Sequence, residues 1–431
     1  MATKAAVLGV HRLIPGGGSV RAGTLTRDAS RATAFIADEA YLRDDARPIL
    51  SLAWHTPGDP EQSRARLEAR GDKIGLHGYL PPWFQGLLPE GALRDLVDRE
   101  MGPGDHDSFD LLLRLGADLP GAVLIVPDNE EAPESAGPIA WERVAGFKAP
   151  LPQGVVKFSL AGVQLKFMVV AEDHRLTVAA RGGDARLILK LGSERYPELP
   201  EAEFAAMHLA AAIGVRTASC RLTPIDAIQD VPAEFLIGAH ALVVERFDRT
   251  AEGRRIHIED AGQIMEAWGE RKYIKGTTES VLNMIRRFSS DWRDDVMEGF
   301  RRIVADVLLG NGDSHLKNWS FIFPEPGVIR LSPAYDIVPT VFFNPNDELA
   351  LRFAGKDKAF EAVTLRRFRR AAEYLKLDPD LVEKEVARSV RAALETWPGL
   401  VRDLPLREAR QHALIERLDK LTLVKEVQAL A

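Results

Sequence analysis

Short apolar runs separated by glycine and proline open the chain. AVLGV at 6–10 leads into the turn PGGGS at 15–19 and then GTL at 23–25, a strand–turn–strand pattern. Ile49 to Trp54 is another short apolar run, closed by Pro57, Gly58 and Asp59. FDLLLRL at 109–115 predicts a buried helical turn and GAVLIVP at 121–127 a strand. The next stretch, DNEEAPESAGP at 128–138, is acidic and almost free of large apolar groups, which predicts a linker. Beyond it a period of two dominates. VKFSLAGVQLKFMVV (156–170), LTVAA (176–180) and LILKL (187–191) are expected as three strands of one antiparallel sheet. EAEFAAMHLAAAIGV (201–215) changes to helical spacing, with Phe204, Met207, His208, Ala211 and Ala212 as the expected apolar stripe and Gly214 as the C-cap. ALVVERF (241–247) is a further strand. From about 260 onward helices dominate, closing with three near 365–376, 380–396 and 406–430.

A sheet-rich piece followed by a helix-rich one predicts two lobes with a cleft between them. The 431 residues suffice for two or three domains. Hydrophobic residues at 46% and charged residues at 28% describe a chain with real cores. Lys and Arg number 56 against 63 Asp and Glu, a net charge of −7, which excludes coating nucleic acid by bulk charge and leaves room for a local basic patch. The run Arg366, Arg367, Arg369 and Arg370 reads as a solvated helix face. One cysteine, Cys220, excludes an intramolecular disulfide framework and a cysteine-rich zinc module. No secretory signal is seen in the first 25 residues, and no run of about 18 apolar residues exists, so a cytoplasmic protein with no membrane span is expected. Internal repeats are not evident.

The most informative stretch is ADVLLGNGDSHLKNWSFIF, 305–323. An apolar helix ends at Gly310, a polar loop NGDSHLKN follows, and the aromatic strand WSFIF closes it. Carboxylates crowded between two buried elements need a reason, because burying them unpaired is costly. Asp313 precedes Asn318 by five residues. After the turn PEPG comes VIRLSPAYDIVP, which places Asp336 just beyond a second short strand. The order Asp, Asn, hairpin, Asp matches the phosphoryl-transfer toolkit of kinases. Mg²⁺ takes hard oxygen ligands, and one or two carboxylates with the phosphates suffice. The attacking hydroxyl needs a carboxylate within reach of its proton, and cations neutralise the charge on the transferring group.

A kinase also needs a lysine on a strand of the smaller lobe. Lys190 in LILKL is so placed, and Glu203 thirteen residues on could pair with it. The loop SLAGVQLK, 159–166, offers Gly162 and flanking amides to cradle phosphates, although neither G-x-G-x-x-G nor G-x-x-x-x-G-K-[ST] is present. VVERFDR, 243–249, would be the strand whose backbone meets an adenine.

These residues resemble the HipA-type serine/threonine kinase toxins of bacterial toxin–antitoxin pairs. The resemblance rests on FSLAGVQLKF, ILKL, EAEFAAMHLAAAIGV, LVVERFDR, GNGDSHLKNWSF and LSPAYDIVP, and in the first part of the chain on PPWFQGLLPEG (81–91) and DSFDLLLRLGADLPGAVLIVP (107–127), spanning roughly 5 to 400 in order. It implies an α+β, bilobal protein-kinase-like fold, with a sheet-rich N-lobe at 141–250, a helical C-lobe at 251–431, and an extra N-terminal α/β subdomain at 1–128 joined by a linker at 129–140. It implies ATP and Mg²⁺ as cofactors, Asp313 as catalytic base or orienting carboxylate, and Asn318 and Asp336 as metal ligands. Lys190 would grip the α- and β-phosphates, with His315, Leu316 and Lys317 against the phosphates and Tyr335 beside the nucleotide. Glu245, Arg246 and Phe247 would receive the adenine. Ala161, Gly162, Val163, Gln164, Leu165 and Lys166 would form the phosphate loop, with Leu165 where an acidic residue is common in the family. Ser159 corresponds to the family's self-phosphorylated serine; a phosphate there adds about −1.5 to −2 charge beside a site built for ATP, consistent with inactivation. The implied partners are a HipB-like DNA-binding antitoxin, DNA through that antitoxin, an aminoacyl-tRNA synthetase substrate (the glutamyl enzyme first), and a second copy in the complex.

Two other readings compete. A lipid or small-molecule kinase can carry a similar Gly312–Asn318 loop, but the small-molecule enzymes usually place His where Asn311 stands, and no basic amphipathic membrane element is evident. A degenerate kinase acting as a DNA-bound corepressor is disfavoured by the intact set Lys190, Asp313, Asn318 and Asp336.

Overall fold

The computed structural model describes residues 6–15, 17–102, 104–128, 166–172, 175–178, 185–229 and 231–430. The expected linker, Ser159 and Ala161 to Leu165 lie outside the described residues. The first part of the chain folds on β1 (Ala6–Leu13), β2 (Ser19–Arg27), β3 (Thr33–Ala37), β4 (Ile74–Gly75) and β5 (Val123–Pro127), ordered β4-β3-β2-β1-β5 with every pair antiparallel. The PGGGS turn works because Gly17 and Gly18 take φ of +104° and +86°, which glycine adopts without penalty. Val10, Leu25 and Phe35 of this sheet pack with Trp54, Trp83, Phe84 and Phe109 into one core. FDLLLRL is helical as expected, over Ser108–Leu115, started by an Asp107 capping box.

A second sheet holds β6 (Lys166–Glu172), β7 (Arg175–Val178), β8 (Leu187–Lys190), β9 (Cys220–Pro224), β10 (Ile228–Gln229) and β11 (His240–Glu245), ordered β10-β7-β6-β8-β11-β9. Over their described residues, the three strands expected from period-two patterning pair antiparallel, and Lys166 stands opposite Lys190. Leu96 of helix Gly91–Glu100, in the first part of the chain, packs with Leu187, Leu189 and Val243 of this sheet.

The helix after β8 runs Leu199–Ala212 and stops before Gly214 at φ +92°. Its expected stripe is corrected. Met207 is buried, but Phe204 and Ala212 are half-buried and His208 and Ala211 face solvent. The buried side carries Ala202, Glu203, Ala205, Ala206, Leu209 and Ala210. Small alanines let two neighbours approach, the sheet and the long helix Pro379–Asp403, whose Trp397 Nε1 donates to Leu209 O at 3.0 Å. An inward Glu203 then breaks the simple apolar rule because it has a cation to meet.

In the C-terminal part, β12 (His257–Asp260), β13 (Ser320–Phe323) and β14 (Arg330–Leu331) form a small antiparallel sheet among helices Thr278–Phe288, Trp292–Leu309, Leu365–Tyr374 and Pro379–Asp403. The second closing helix continues past the expected end at 396 to Asp403 despite Pro398, held by the buried side chains of Trp397 and Val401. The third is two helices, Glu408–Lys420 and Thr422–Gln428, broken where buried Leu421 is extended (φ −72°, ψ 130°) so that Leu423, Val424 and Val427 also enter the core.

Buried polar groups bind the first part to the rest. Glu259 accepts from Ser51 Oγ (2.5 Å), the Leu52 N–H (2.7 Å) and Trp83 Nε1 (2.8 Å). Arg255 donates to the carbonyls of Ala117, Leu119, Gly121 and Val123. Among the described residues no helix is long and apolar enough to cross a membrane.

Candidate active site

The polar loop is set by what lies behind it. Helix Trp292–Leu309 ends on Gly310 at φ +74°. A Cβ on Gly312 would fall 2.0 Å from the Asp347 carboxylate, so only glycine fits. The Gly312 N–H donates to Thr340 Oγ1 at 2.8 Å, and the Thr340 hydroxyl donates to Asp347. The loop therefore has one shape before any ligand arrives.

Asp313 is buried, and its Oδ1 accepts from the Tyr273 hydroxyl at 2.7 Å. Burial pushes its pKa up to about 6, against the pull of that hydrogen bond and of Lys272. Asn318 ends a short 3₁₀ turn, and its Nδ2 donates to the Asp313 carbonyl at 2.8 Å. Fixing the amide nitrogen orients the Asn318 oxygen as an acceptor. His315 is buried, neither ring nitrogen has a hydrogen-bond partner among the described residues, and desolvation, with Lys272 adding to it, holds it neutral.

Asp336 follows β14 with φ +54°, a conformation that non-glycine residues rarely adopt, and its carboxylate turns toward the second sheet. Lys190 Nζ contacts both Asp336 Oδ1 and Glu203 Oε1, while Lys166 Nζ reaches Asp336 Oδ2 at 2.8 Å. Desolvation works against these charges, but Lys166 and Lys190 outweigh it and hold Asp336 far below the usual carboxylate range. By the same balance Lys190, 3% exposed, stays charged because Asp336 and Glu203 overcome its burial.

One cavity of about 260 Å³ has Lys166, Glu203, Asp313, His315, Lys317, Asn318, Tyr335 and Asp336 on its walls. Leu316 is fully buried and does not line the cavity. Lys317 lines the cavity but is aimed at the first part of the chain, to Gly86 O (3.1 Å) and Glu90 Oε1 (3.3 Å). Of the residues expected to receive an adenine, Arg246 ties its guanidinium to Asp248 and Phe247 packs its ring 5.5 Å from that of Tyr335. The N–H groups of Glu245 and Arg246 are already bonded to Ser219 O and Arg186 O.

Sequence reasoning missed Glu90, Lys272 and Tyr273. Glu90 belongs to PPWFQGLLPEG, and its carboxylate reaches Lys272 at 2.8 Å as well as Lys317. Leu88, Pro89 and Leu93 join it on the cavity wall. The only signal was that a carboxylate stands in an otherwise apolar, Pro- and Gly-framed segment. Tyr273 gave none, because it lies in an irregular stretch with no periodicity.

Among the described residues no group of three or more His, Cys, Asp or Glu side chains forms a protein-only metal cage. The oxygens of Asn318 and Asp336 instead suit a hard cation that keeps water and phosphate ligands.

A family model described as the HipA N-terminal domain matches residues 18–126, and one described as the HipA-like C-terminal domain matches 158–397. The chain belongs to the HipA family. A relative in Sinorhizobium fredii, "Putative kinase Y4dM", is 34% identical over 396 residues, covering 89% of this chain and 90% of that protein. The serine/threonine-protein kinase toxin HipA of Shewanella oneidensis is 25% identical over 417 residues, 90% of this chain and 89% of the toxin. The HipA fold is seen again in a chain of the solved Shewanella oneidensis toxin–antitoxin complex of HipA, HipB and operator DNA, with a TM-score of 0.71 at 20% identity over 98% of this chain and 99% of that one. The bilobal kinase-like α+β architecture is thus that of the HipA family.

Proposed function

We propose that the chain is an ATP- and Mg²⁺-dependent serine/threonine-protein kinase. The observation that carries this reading is the meeting of Lys190 with Glu203 and Asp336, two residues that line the cavity also holding Asp313 and Asn318. Bound ATP–Mg²⁺ supplies the phosphoryl group and charge neutralisation. Asn318 and Asp336 offer the metal two oxygens, and Lys190 faces the α- and β-phosphates. Lys166 exchanges its hold on Asp336 for the phosphates as the nucleotide enters. The phosphate loop Ala161–Lys166, His315 and Lys317 complete the phosphate contacts, with Leu316 packed behind them. The carbonyls of Glu245 and Arg246 and the N–H of Phe247 meet the adenine, whose ring packs near Phe247 and Tyr335. Asp313, oriented by Tyr273, accepts the proton of the substrate hydroxyl as its oxygen bonds to the γ-phosphorus and ADP departs.

On family grounds the protein substrate is an aminoacyl-tRNA synthetase, the chain acts as a toxin held by a HipB-like antitoxin on DNA, and Ser159 is the self-modified residue. The domain division at residues 128 and 140 is part of the same reading; the separate core around Trp54 and Trp83 supports it. Purified protein with labelled ATP tests the chemistry: wild type should label itself or a synthetase, and Asp313→Asn should not. A wild type that binds ATP, transfers nothing and still joins an antitoxin on DNA would replace the kinase with a corepressor. Intact mass after prolonged incubation with ATP tests Ser159.

A further inference from the structure

A second cavity lies away from the cleft, where the first part of the chain meets the β13–β14 hairpin. It measures about 630 Å³, within the roughly 300–1,000 Å³ common for small-molecule sites. Ile49, Leu50, Trp54, Phe323 and Ile329 give it an apolar wall. Arg12 of β1 lines the same space and is 4% exposed. Its Nε donates to Ile49 O at 3.1 Å and its Nη1 to Leu13 O. Among the described residues no carboxylate pairs with it and Nη2 has no hydrogen-bond acceptor. The other buried arginines each meet a carboxylate, Arg27 at Asp107 and Asp110, Arg302 at Glu298, and Arg246 and Arg249 at Asp248. Burial draws the Arg12 pKa down to about 10, with only Tyr41 opposing.

The other charges on the cavity are sorted by depth. Arg47 and His55 are half-buried on the wall. Asp45, Asp59 and Glu325 are exposed at the rim, where Asp45 is paired with Arg64 and Asp59 caps helix Pro60–Glu68. A buried guanidinium without a counter-charge, set in an apolar hollow with the acids kept outside, is a receptor for an anion that brings its own apolar surface.

We infer that this cavity binds a small organic anion, a carboxylate, sulfonate or phosphate monoester on a flat apolar body, with its head on Arg12 and its body against Trp54 and Phe323. The occupant would touch the hairpin that separates Asn318 from Asp336, so it bears on the cleft without entering it.

Titrating the full-length protein with anilinonaphthalene sulfonate tests the site, with the uncharged phenylnaphthylamine as control. Saturable one-to-one fluorescence is expected from wild type. Arg12→Met should weaken it by about tenfold or more, the loss expected from one charge-assisted hydrogen bond. Ile49→Trp, which fills the cavity and keeps the charge, should weaken it similarly and serves if Arg12→Met does not fold, as circular dichroism and melting would show. The uncharged analogue should bind more weakly, and ATP with Mg²⁺ should not displace the dye. Equal binding to wild type and folded Arg12→Met, equal binding of the uncharged analogue, displacement by ATP, or no saturable binding would each overturn the inference. Because the assay reads no phosphoryl transfer, its failure leaves the kinase reading untouched.

Discussion

Lys190 and Asp336 meet across the cleft, 146 positions apart in the chain, with the ammonium on Oδ1 of the carboxylate and Lys166 on Oδ2 at 2.8 Å. The contact joins β8 of the second sheet to the segment that follows β14, and Glu203 closes it from the helix side. Lys190 and Glu203 are buried and Asp336 is half-buried beside them, so each charge depends on the others.

Replacing Lys190 with Met leaves Glu203 and Asp336 facing each other without their shared cation. Loss of one partner from a buried pair costs about 3–5 kcal/mol, and denaturant midpoints should fall accordingly. Adding Glu203→Gln should return part of that stability and none of the ATP binding. Full stability in Lys190→Met would show that the pair is not energetically coupled.

Lys166 competes with any cation for Asp336. Lys166→Ala should therefore strengthen Mn²⁺ binding to the nucleotide-free protein, read by electron paramagnetic resonance, while weakening ATP binding by about tenfold, one charge-assisted contact. Unchanged metal affinity would mean that Asp336 is not the ligand.

The base should be protonated in acid. With the Asp313 pKa near 6, kcat should fall as pH drops through 6. Tyr273→Phe removes an interaction that favours the carboxylate, so the acid limb should move to higher pH and kcat at pH 7 should drop by about tenfold, with KM for ATP little changed. A profile with an unmoved acid limb would separate Tyr273 from Asp313.

Glu90 couples the first part of the chain to the loop. Burial alone would raise its pKa, but Lys317 and Lys272 prevail and take it down to about 2. A carboxylate depressed on folding stabilises above its unfolded pKa and loses that contribution as pH falls toward the folded value. Wild type should thus lose ~2 kcal/mol of stability between pH 5 and 2 that Glu90→Gln does not. Parallel pH profiles of urea stability in the two proteins would rule out the coupling.

Much of this protein was legible in the chain. Alternation fixed β6, β7 and β8, and glycine turns fixed β1 and β2, because these elements depend on local backbone preference and on burying one face. The spacing of Asp313, Asn318 and Asp336 was readable because all three lie within one loop–hairpin unit whose order the chemistry constrains. The stripe on Leu199–Ala212 was misread because two elements cover that helix and Glu203 is drawn inward by Lys190 rather than left to solvent. Tertiary structure alone decided that Tyr273 orients Asp313, that Glu90 reaches from the first part of the chain to Lys272 and Lys317, and that Arg12 meets no counter-charge among the described residues beside a cavity. Such contacts join residues tens to hundreds of positions apart, and no local periodicity encodes them; they exist only once packing has chosen which charged groups share a low-dielectric space.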